Sequence, residues 1–373
     1  MGTWRVVARL DLQRLPWLYL GYAHLDTWLS GWAPVGGVLA VSWIAAFSGA
    51  LFGIGTLSRQ KFTFSNAAIL AALLWLSGWY LQTEAWTKPA GDPVSVAAVQ
   101  PAIPLSTKWD SKQIDAILEL YRQETEPLLD NDLIIWPESA IPAFADQVQP
   151  FLTSMSSAAT NHGSALITGI PTRGGRDHHY YNSVIGLGEA SGSYHKQHLV
   201  PFGEYVPFEQ WLRGMIAFFD LPMSAFSPGP DNQPHITANG HTIATAICYE
   251  IVYPTLVARA AVGANLLLTV SNDTWFGRSI GPQQHFQIAR MRAVENRKPL
   301  IRATNDGITA LINTRGQVVS EAPAYSQQVL TGYLTPYAGL TPFGEWGSLP
   351  ILVLSLLLIA GVAASKPAVG QRR

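Results

Sequence analysis

Three long runs without a charged side chain constrain this chain most: Val35 to Ser58, Phe62 to Thr83 and Trp346 to Ser365. A helix needs about 20 mostly apolar residues to cross a bilayer, and each run is of that order. Core helices of a soluble protein are the competing reading. Composition favours lipid: charged residues are 13% of the chain, against about 25% in average soluble domains. The runs divide the chain into three parts. Residues 1–92 form an N-terminal membrane region with spans at about 35–58 and 62–83. Residues 93–340 form a middle domain. Residues 341–373 carry a last span at about 346–365 and a basic tail.

Charge sets the expected orientation. Arg59 and Lys61 lie between the first two runs, and Lys366, Arg372 and Arg373 follow the third. Basic residues favour the cytoplasmic side, so the middle domain falls on the far side. Arg5, Arg9 and Arg14 do not fit, because three spans leave them outside. Either residues 15–33 also enter the membrane or upstream spans are missing. Residues 1–14 lack the apolar core and cleavage site of a signal peptide. The 15–33 stretch mixes Trp17, Tyr19, Tyr22, Trp28 and Trp32 with His24 and Asp26. That mixture suits a membrane–water interface or an ordinary amphipathic connector. A net charge of −1 argues against a nucleic-acid partner.

The middle domain alternates strand-like and helix-like segments, the pattern of a layered α/β domain. Strands are expected at 94–99, 133–136, 165–170, 182–187, 193–195, 242–247, 266–270, 300–303 and 309–313. Helices are expected at 110–129, 145–161, 251–262 and 282–297. No internal repeat, Gly-rich phosphate loop or metal-ligand set stands out.

Three residues at strand ends suggest chemistry. Glu138 follows the apolar strand and Pro137, Lys196 follows Ser193-Tyr194-His195, and Cys248 closes the run from Thr242 to Ile247. Cys248 is the only cysteine, so it has no disulfide partner within the chain. Taken singly, each has a bland reading: a surface carboxylate, a solvated lysine, a buried structural thiol. Together they suit acyl transfer. A carboxylate takes the thiol proton, the thiolate attacks a carbonyl, and the ammonium stabilises the oxyanion.

The wording around these residues resembles the nitrilase superfamily. Trp136-Pro137-Glu138, Lys196 with Pro201-Phe202-Gly203-Glu204, and Cys248-Tyr249-Glu250 are similar to its Glu-Lys-Cys motifs. Lys108-Trp109-Asp110, His198-Leu199-Val200-Pro201, Ser271-Asn272-Asp273-Thr274-Trp275-Phe276-Gly277 and Arg290-Met291-Arg292-Ala293 resemble its membrane branch, the apolipoprotein N-acyltransferases.

The resemblance implies a four-layer α-β-β-α sandwich on transmembrane helices, in a multi-pass protein of the bacterial inner membrane with its catalytic domain in the periplasm. It implies that Cys248 takes an acyl chain from a phospholipid, usually phosphatidylethanolamine, and passes it to the amine of a lipoprotein's diacylglyceryl-cysteine. Glu138 would be the base and Lys196 the oxyanion stabiliser. Glu204, Tyr249, Glu250 and Trp109 match supporting positions; no cofactor or metal is implied. The family carries further N-terminal spans, so the chain resembles an N-terminally truncated member. Two other readings stay open: a membrane-tethered amidase that uses water in place of the amine, and an inactive remnant serving as an interaction domain. The apolar run Trp211 to Leu221 is expected either to dip into the interface or to pack in the core.

Overall fold

A computed structural model describes residues 16–57, 61–174, 179–201, 203–205 and 226–365. The expected arm at 211–221, residues 1–14 and the basic tail lie outside these residues. So does Arg59.

Two sheets form the centre of the domain. The strands of the first are β2 (Val94–Gln100), β3 (Leu133–Ile135), β4 (Ala165–Arg173), β5 (Tyr180–Gly188), β7 (Ser193–His195) and β14 (Gln328–Leu334). Their order is β14-β2-β3-β4-β5-β7. The second sheet holds β6 (Ala190–Ser191), β8 (Ile236–Ala238), β9 (His241–Ile247), β10 (Leu266–Ser271), β11 (Leu300–Thr304), β12 (Thr309–Ile312) and β13 (Val318–Ala322). Its order is β13-β12-β11-β10-β9-β8-β6. A short antiparallel pair, β1 (Lys88–Pro89) with β15 (Tyr337–Ala338), ties the two ends of the domain together. The central strands β2-β3-β4 and β9-β10-β11 run parallel.

The two-residue period of a strand explains the layering. Val94, Val96 and Ala98 of β2, with Leu133 and Ile135 of β3, face the other sheet. There they meet Ile243, Ile247, Leu266, Leu268 and Val270 in a core between the sheets. The alternate residues Ala97, Val99 and Ile134 face outward, against Ile117 and Tyr121 on one helix and Phe151, Leu152 and Met155 on another. On the second sheet, Ala244, Ala246, Leu267 and Leu300 face outward against Ile288, Met291 and Val294. Both sheets are therefore buried on both faces, which is why their strands read as unbroken apolar runs.

In chain order the helices are α1 (Ala33–Leu57), α2 (Lys61–Thr83), α3 (Leu105–Lys108), α4 (Ile114–Thr125), α5 (Gln149–His162), α6 (Pro254–Ala260), α7 (Gly281–Asn296), α8 (Pro342–Trp346) and α9 (Leu349–Ser365). Among the described residues, two helical segments are long and apolar enough to cross a membrane, Trp28–Leu57 and Phe64–Thr83. The third expected span begins later than the sequence implies. Trp346 ends α8, and Gly347 at φ +62° separates it from α9.

Two other expectations need correction. The helix expected over 110–129 is α4 flanked by two 3-10 turns, because Asp110 caps the first turn and Pro127 sits in the second. Strands β8, β13 and β14 were not anticipated. Of the alternatives open for 15–33, residues 20–24 and 28–32 form short 3-10 helices, and the segment docks on the two-sheet domain. Trp17 Nε1 donates to Gln284 at 2.7 Å, Arg290 makes a two-pronged ion pair with Asp26, and Arg292 Nη2 donates to Tyr22 OH at 3.0 Å.

The same helix, α7, holds α1. Glu295 Oε1 accepts from Val38 N at 2.7 Å, where α1 breaks at Gly36 and Gly37. Gly37 has φ +71°, and a Cβ there would lie 2.5 Å from the buried Phe343 ring. Gly37→Ala therefore meets both backbone strain and a clash, costing about 2 kcal/mol or more. We expect a lower thermal midpoint for the detergent-solubilised protein, while Gly49→Ala, which faces open space, leaves it near wild type.

Candidate active site

Four side chains meet where strands of the two sheets end. Glu138 lies just past β3, Lys196 just past β7, Cys248 just past β9, and Glu204 in the loop after Lys196. Ligand sites of open parallel sheets sit at such carboxyl ends. Gly169 on β4 permits the approach of the first segment. A Cβ there would lie 2.5 Å from Pro137 O and 2.7 Å from Glu138 Cα.

Lys196 is fully buried between two carboxylates. Its Nζ lies 2.9 Å from Glu204 Oε1 and 3.4 Å from Glu138 Oε1. Burial alone would lower its pKa, but the charges of Glu204 and Glu138 outweigh this and hold it well above the usual lysine value. The two carboxylates thus favour the ammonium form, which is suited to stabilising negative charge. Asn182 Nδ2 bridges the two carboxylates, donating at 2.8 Å to Oε1 of each. The remaining oxygens are also met: Asn272 N donates to Glu138 Oε2 and Val200 N to Glu204 Oε2, both at 2.8 Å.

Cys248 is half-buried and has φ +50°, the left-handed region that non-glycine residues seldom occupy. Burial raises its thiol pKa well above the ordinary value. The Glu138 carboxylate adds to the rise, while Lys196 and a hydrogen bond with Ser271 oppose it. The resting sulfur is therefore a neutral thiol, and thiolate forms only as a base removes its proton. Glu138 is a carboxylate close enough to Cys248 to act on its charge.

Glu250 does different work from the other acids. Its Oε1 accepts from Gln197 N at 2.6 Å, His198 N at 3.1 Å and Tyr194 OH at 3.0 Å, and its Oε2 accepts from Ile247 N at 2.8 Å. It stitches the Lys196 loop to the strand end that carries Cys248. Burial raises its pKa to about 7, against the pull of those backbone donors and of Lys196.

Residues 95–342 match the carbon–nitrogen hydrolase family. The apolipoprotein N-acyltransferase of Pseudomonas putida is 46% identical over 351 residues, covering 93% of this chain and 70% of that protein. The Azotobacter vinelandii protein of the same name is 44% identical over 378 residues, covering 97% of this chain and 73% of that protein. The chain belongs to the apolipoprotein N-acyltransferase family. It is an enzyme, an acyltransferase carried on a carbon–nitrogen hydrolase domain.

Solved structures share the fold alone. Saccharomyces cerevisiae Nit3, a member of branch 10 of the nitrilase superfamily, superposes with a TM-score of 0.50 at 18% identity, covering 77% of this chain and all of that one, 100%. The Caenorhabditis elegans NitFhit protein gives 0.51 at 14% identity, covering 74% of this chain and 66% of that one.

Of the acyltransferase residues expected from sequence, Glu138, Lys196, Glu204 and Cys248 converge. Glu250 lies behind them as a backbone clamp. Tyr249 is half-buried beside Cys248, its hydroxyl accepting from Tyr253 OH at 3.0 Å. Trp109 is half-buried, and its Nε1 has no hydrogen-bond partner among the described residues.

Two contributors escaped the sequence reading. Asn182, a polar residue inside an otherwise apolar strand, was the visible signal for one. The other is Lys108, beside Trp109: it is fully buried, and its Nζ donates to Glu138 O at 3.2 Å. Burial lowers its pKa from 10.5 to about 8, with Glu138 and Asp306 resisting. The unfolded chain thus holds a proton that the folded chain sheds between these values, so this residue makes stability rise with pH there. Its contribution is fully present above about 10.5 and lost as pH falls through about 8. Across pH 8 to 10 the thermal midpoint of wild type should gain on that of Lys108→Met; parallel profiles would count against a depressed lysine.

Proposed function

We propose that this chain acylates the α-amine of a lipoprotein's diacylglyceryl-cysteine through a thioester on Cys248, with a phospholipid such as phosphatidylethanolamine as donor. One observation carries the reading: Lys196 Nζ is held 3.4 Å from Glu138 and 2.9 Å from Glu204 at the strand ends, beside a cysteine whose backbone sits at φ +50°.

The steps follow from those groups. Glu138 takes the Cys248 proton as sulfur attacks the ester carbonyl carbon of the phospholipid. Charge developing on the carbonyl oxygen is stabilised by the Lys196 ammonium. The tetrahedral species collapses, the ester C–O bond breaks, and Glu138 returns the proton to the departing lysophospholipid oxygen. The incoming amine then attacks the thioester. Glu138 takes the amine proton and passes it to sulfur as the C–S bond breaks. The products are an amide and the free thiol, with all protons accounted for. Glu204 keeps Lys196 charged and in place, and Asn182 ties the two carboxylates to one donor.

The apolar helices support a lipid-borne substrate. Leu57, Ile69 and Leu73 on α1 and α2 are exposed, as are Leu356, Leu357 and Ile359 on α9. Exposed apolar surface of this extent marks contact with lipid or a partner. Placing these helices in an inner membrane as multiple spans, with residues 84–345 in the periplasm, brings donor and acceptor to the domain by diffusion in the bilayer plane.

Labelled phospholipid should label wild type through a hydroxylamine-sensitive bond and should leave Cys248→Ala unlabelled. Glu138→Gln and Lys196→Met should lose roughly 10²-fold or more in thioester formation. Lys196→Arg should also fail, since a wider guanidinium cannot take the place of a compact ammonium. Release of ammonia from small amides, without acyl transfer to an amine, would favour an amidase instead.

Orientation is checked separately. A phosphatase fused after about residue 120, beyond the expected spans, should be active, and a cytosolic reporter at the same point should be dark. The opposite pattern would reverse the topology.

A further inference from the structure

Behind Cys248 lies a second buried polar cluster outside the Glu138–Lys196–Glu204 group. His285 of α7 reaches the nucleophile from the far side of the second sheet, its Nε2 lying 3.1 Å from the Cys248 carbonyl oxygen. A carbonyl oxygen only accepts, so Nε2 carries the hydrogen. The other ring nitrogen, Nδ1, sits 3.0 Å from Asp273 Oδ1 and 3.2 Å from Arg302 Nη2. Asp273 is itself held twice more, by Arg302 Nη2 at 2.6 Å on Oδ2 and by Ser271 Oγ at 2.6 Å on Oδ1. His285, Asp273 and Arg302 are at most 1% exposed. The Trp17 ring lies stacked on the imidazole, with centroids 5.6 Å apart, and covers it from the N-terminal segment.

This cluster bears on a strained backbone. A non-glycine residue at φ +50° is disfavoured by about 1–2 kcal/mol. Such a conformation persists only where its surroundings over-determine it. Glu250 fixes the residue before Cys248 by accepting from Ile247 N. His285 fixes the peptide after it by donating to the Cys248 carbonyl. The elbow is thus pinned on both sides of the sulfur-bearing carbon. Glu250 is tied to the Lys196 loop, and His285 is tied to α7.

We infer that His285, held in one orientation by Asp273 and Arg302, is a positioning residue: it locks Cys248 in the left-handed elbow and thereby sets the rate of acylation rather than the affinity for the acyl donor. The inference rests on the thioester reading but can fail independently of it. His285 touches no substrate; its effect passes through the backbone of Cys248.

The test uses the full-length, detergent-solubilised protein and two readouts. One is single-turnover thioester formation over a range of phospholipid concentrations. The other is alkylation of Cys248 by iodoacetamide, a small neutral reagent that needs no lipid site. His285→Ala should lower the maximal acylation rate by about 10²-fold, the scale of a misplaced reacting group, while half-saturation moves less than about threefold. Alkylation should change in rate along with it. His285→Gln should recover about tenfold of the lost rate, because the amide nitrogen of glutamine can donate where Nε2 did. Should His285→Ala fail to accumulate, Asp273→Asn supplies the same comparison with the volume kept and the charge removed.

Overturning results are equally specific. They are an acylation rate for His285→Ala within about threefold of wild type, a change confined to half-saturation, or equal loss in the Ala and Gln variants. If wild type forms no thioester but alkylation still follows the order wild type, Gln, Ala, the elbow inference stands and the donor reading falls.

Discussion

A buried ammonium between two carboxylates is the interaction on which the rest of the site depends. Each ion removed from water costs several kcal/mol before pairing. Lys196 is 1% exposed, and both of its partners are also buried. The cluster is tolerable only because every charge has several partners in good geometry. Glu138 and Glu204 each receive Asn182 and a backbone N–H in addition to the lysine. That satisfaction demands accurate placement of β3, β5, β7 and the turn after β10 relative to one another. The two-sheet core provides it, since a shift of one residue in any of these strands would turn its inward-facing set outward.

The same architecture joins the helices of the first 83 residues to the chemistry. Helix α7 packs on the second sheet and carries polar side chains in three directions. Arg290 and Arg292 hold Asp26 and Tyr22, Glu295 holds the broken start of α1, and His285 reaches the nucleophile. Its interior is unusually polar for a buried helix, with Arg292 and Glu295 paired 3.1 Å apart and fully buried. Rigid attachment has a physical purpose if the substrates are lipids. Their carbonyls have a restricted range of heights above the bilayer, so a thiol tethered loosely to its anchoring helices would seldom be at the right depth.

Legibility in the sequence followed locality. Glu138 and Cys248 could be read because each stands at the end of an apolar run, and Lys196 because it follows a short strand-like Ser193-Tyr194-His195 ahead of a Pro- and Gly-containing loop. The apolar helices could be read for the same reason. The roles of Asn182 and Lys108 could not, since each comes from partners tens of residues away, Glu138 and Glu204 for the first and the Glu138 carbonyl for the second. Strands β13 and β14 were missed because they lie toward the edges of their sheets and carry exposed residues such as Val319 and Tyr333, which blur the apolar signal. The 15–33 segment failed differently. Trp17, Tyr22 and Asp26 satisfy the composition of a membrane interface and that of a docked connector equally well. What the composition could not show is that these residues dock on the domain through Gln284, Arg292 and Arg290.

The resting state of the nucleophile connects these features. A thiolate exposed beside a membrane would be open to oxidation and to adventitious acyl donors. Here burial and the neighbouring carboxylate keep Cys248 protonated, and the same carboxylate is the group able to take the proton away. In the proposed reaction activation is coupled to attack: negative charge would leave Glu138 as it appears on sulfur and then on the carbonyl oxygen. Lys196, whose ammonium form both carboxylates favour, would face a nearly constant total of negative charge throughout. Electrostatic preorganisation of this kind requires little reorganisation at the moment of reaction. It also explains why two carboxylates surround one lysine. Glu138 takes and returns protons in the proposed reaction, whereas Glu204, at 2.9 Å, is a second carboxylate partner for Lys196 outside that transfer.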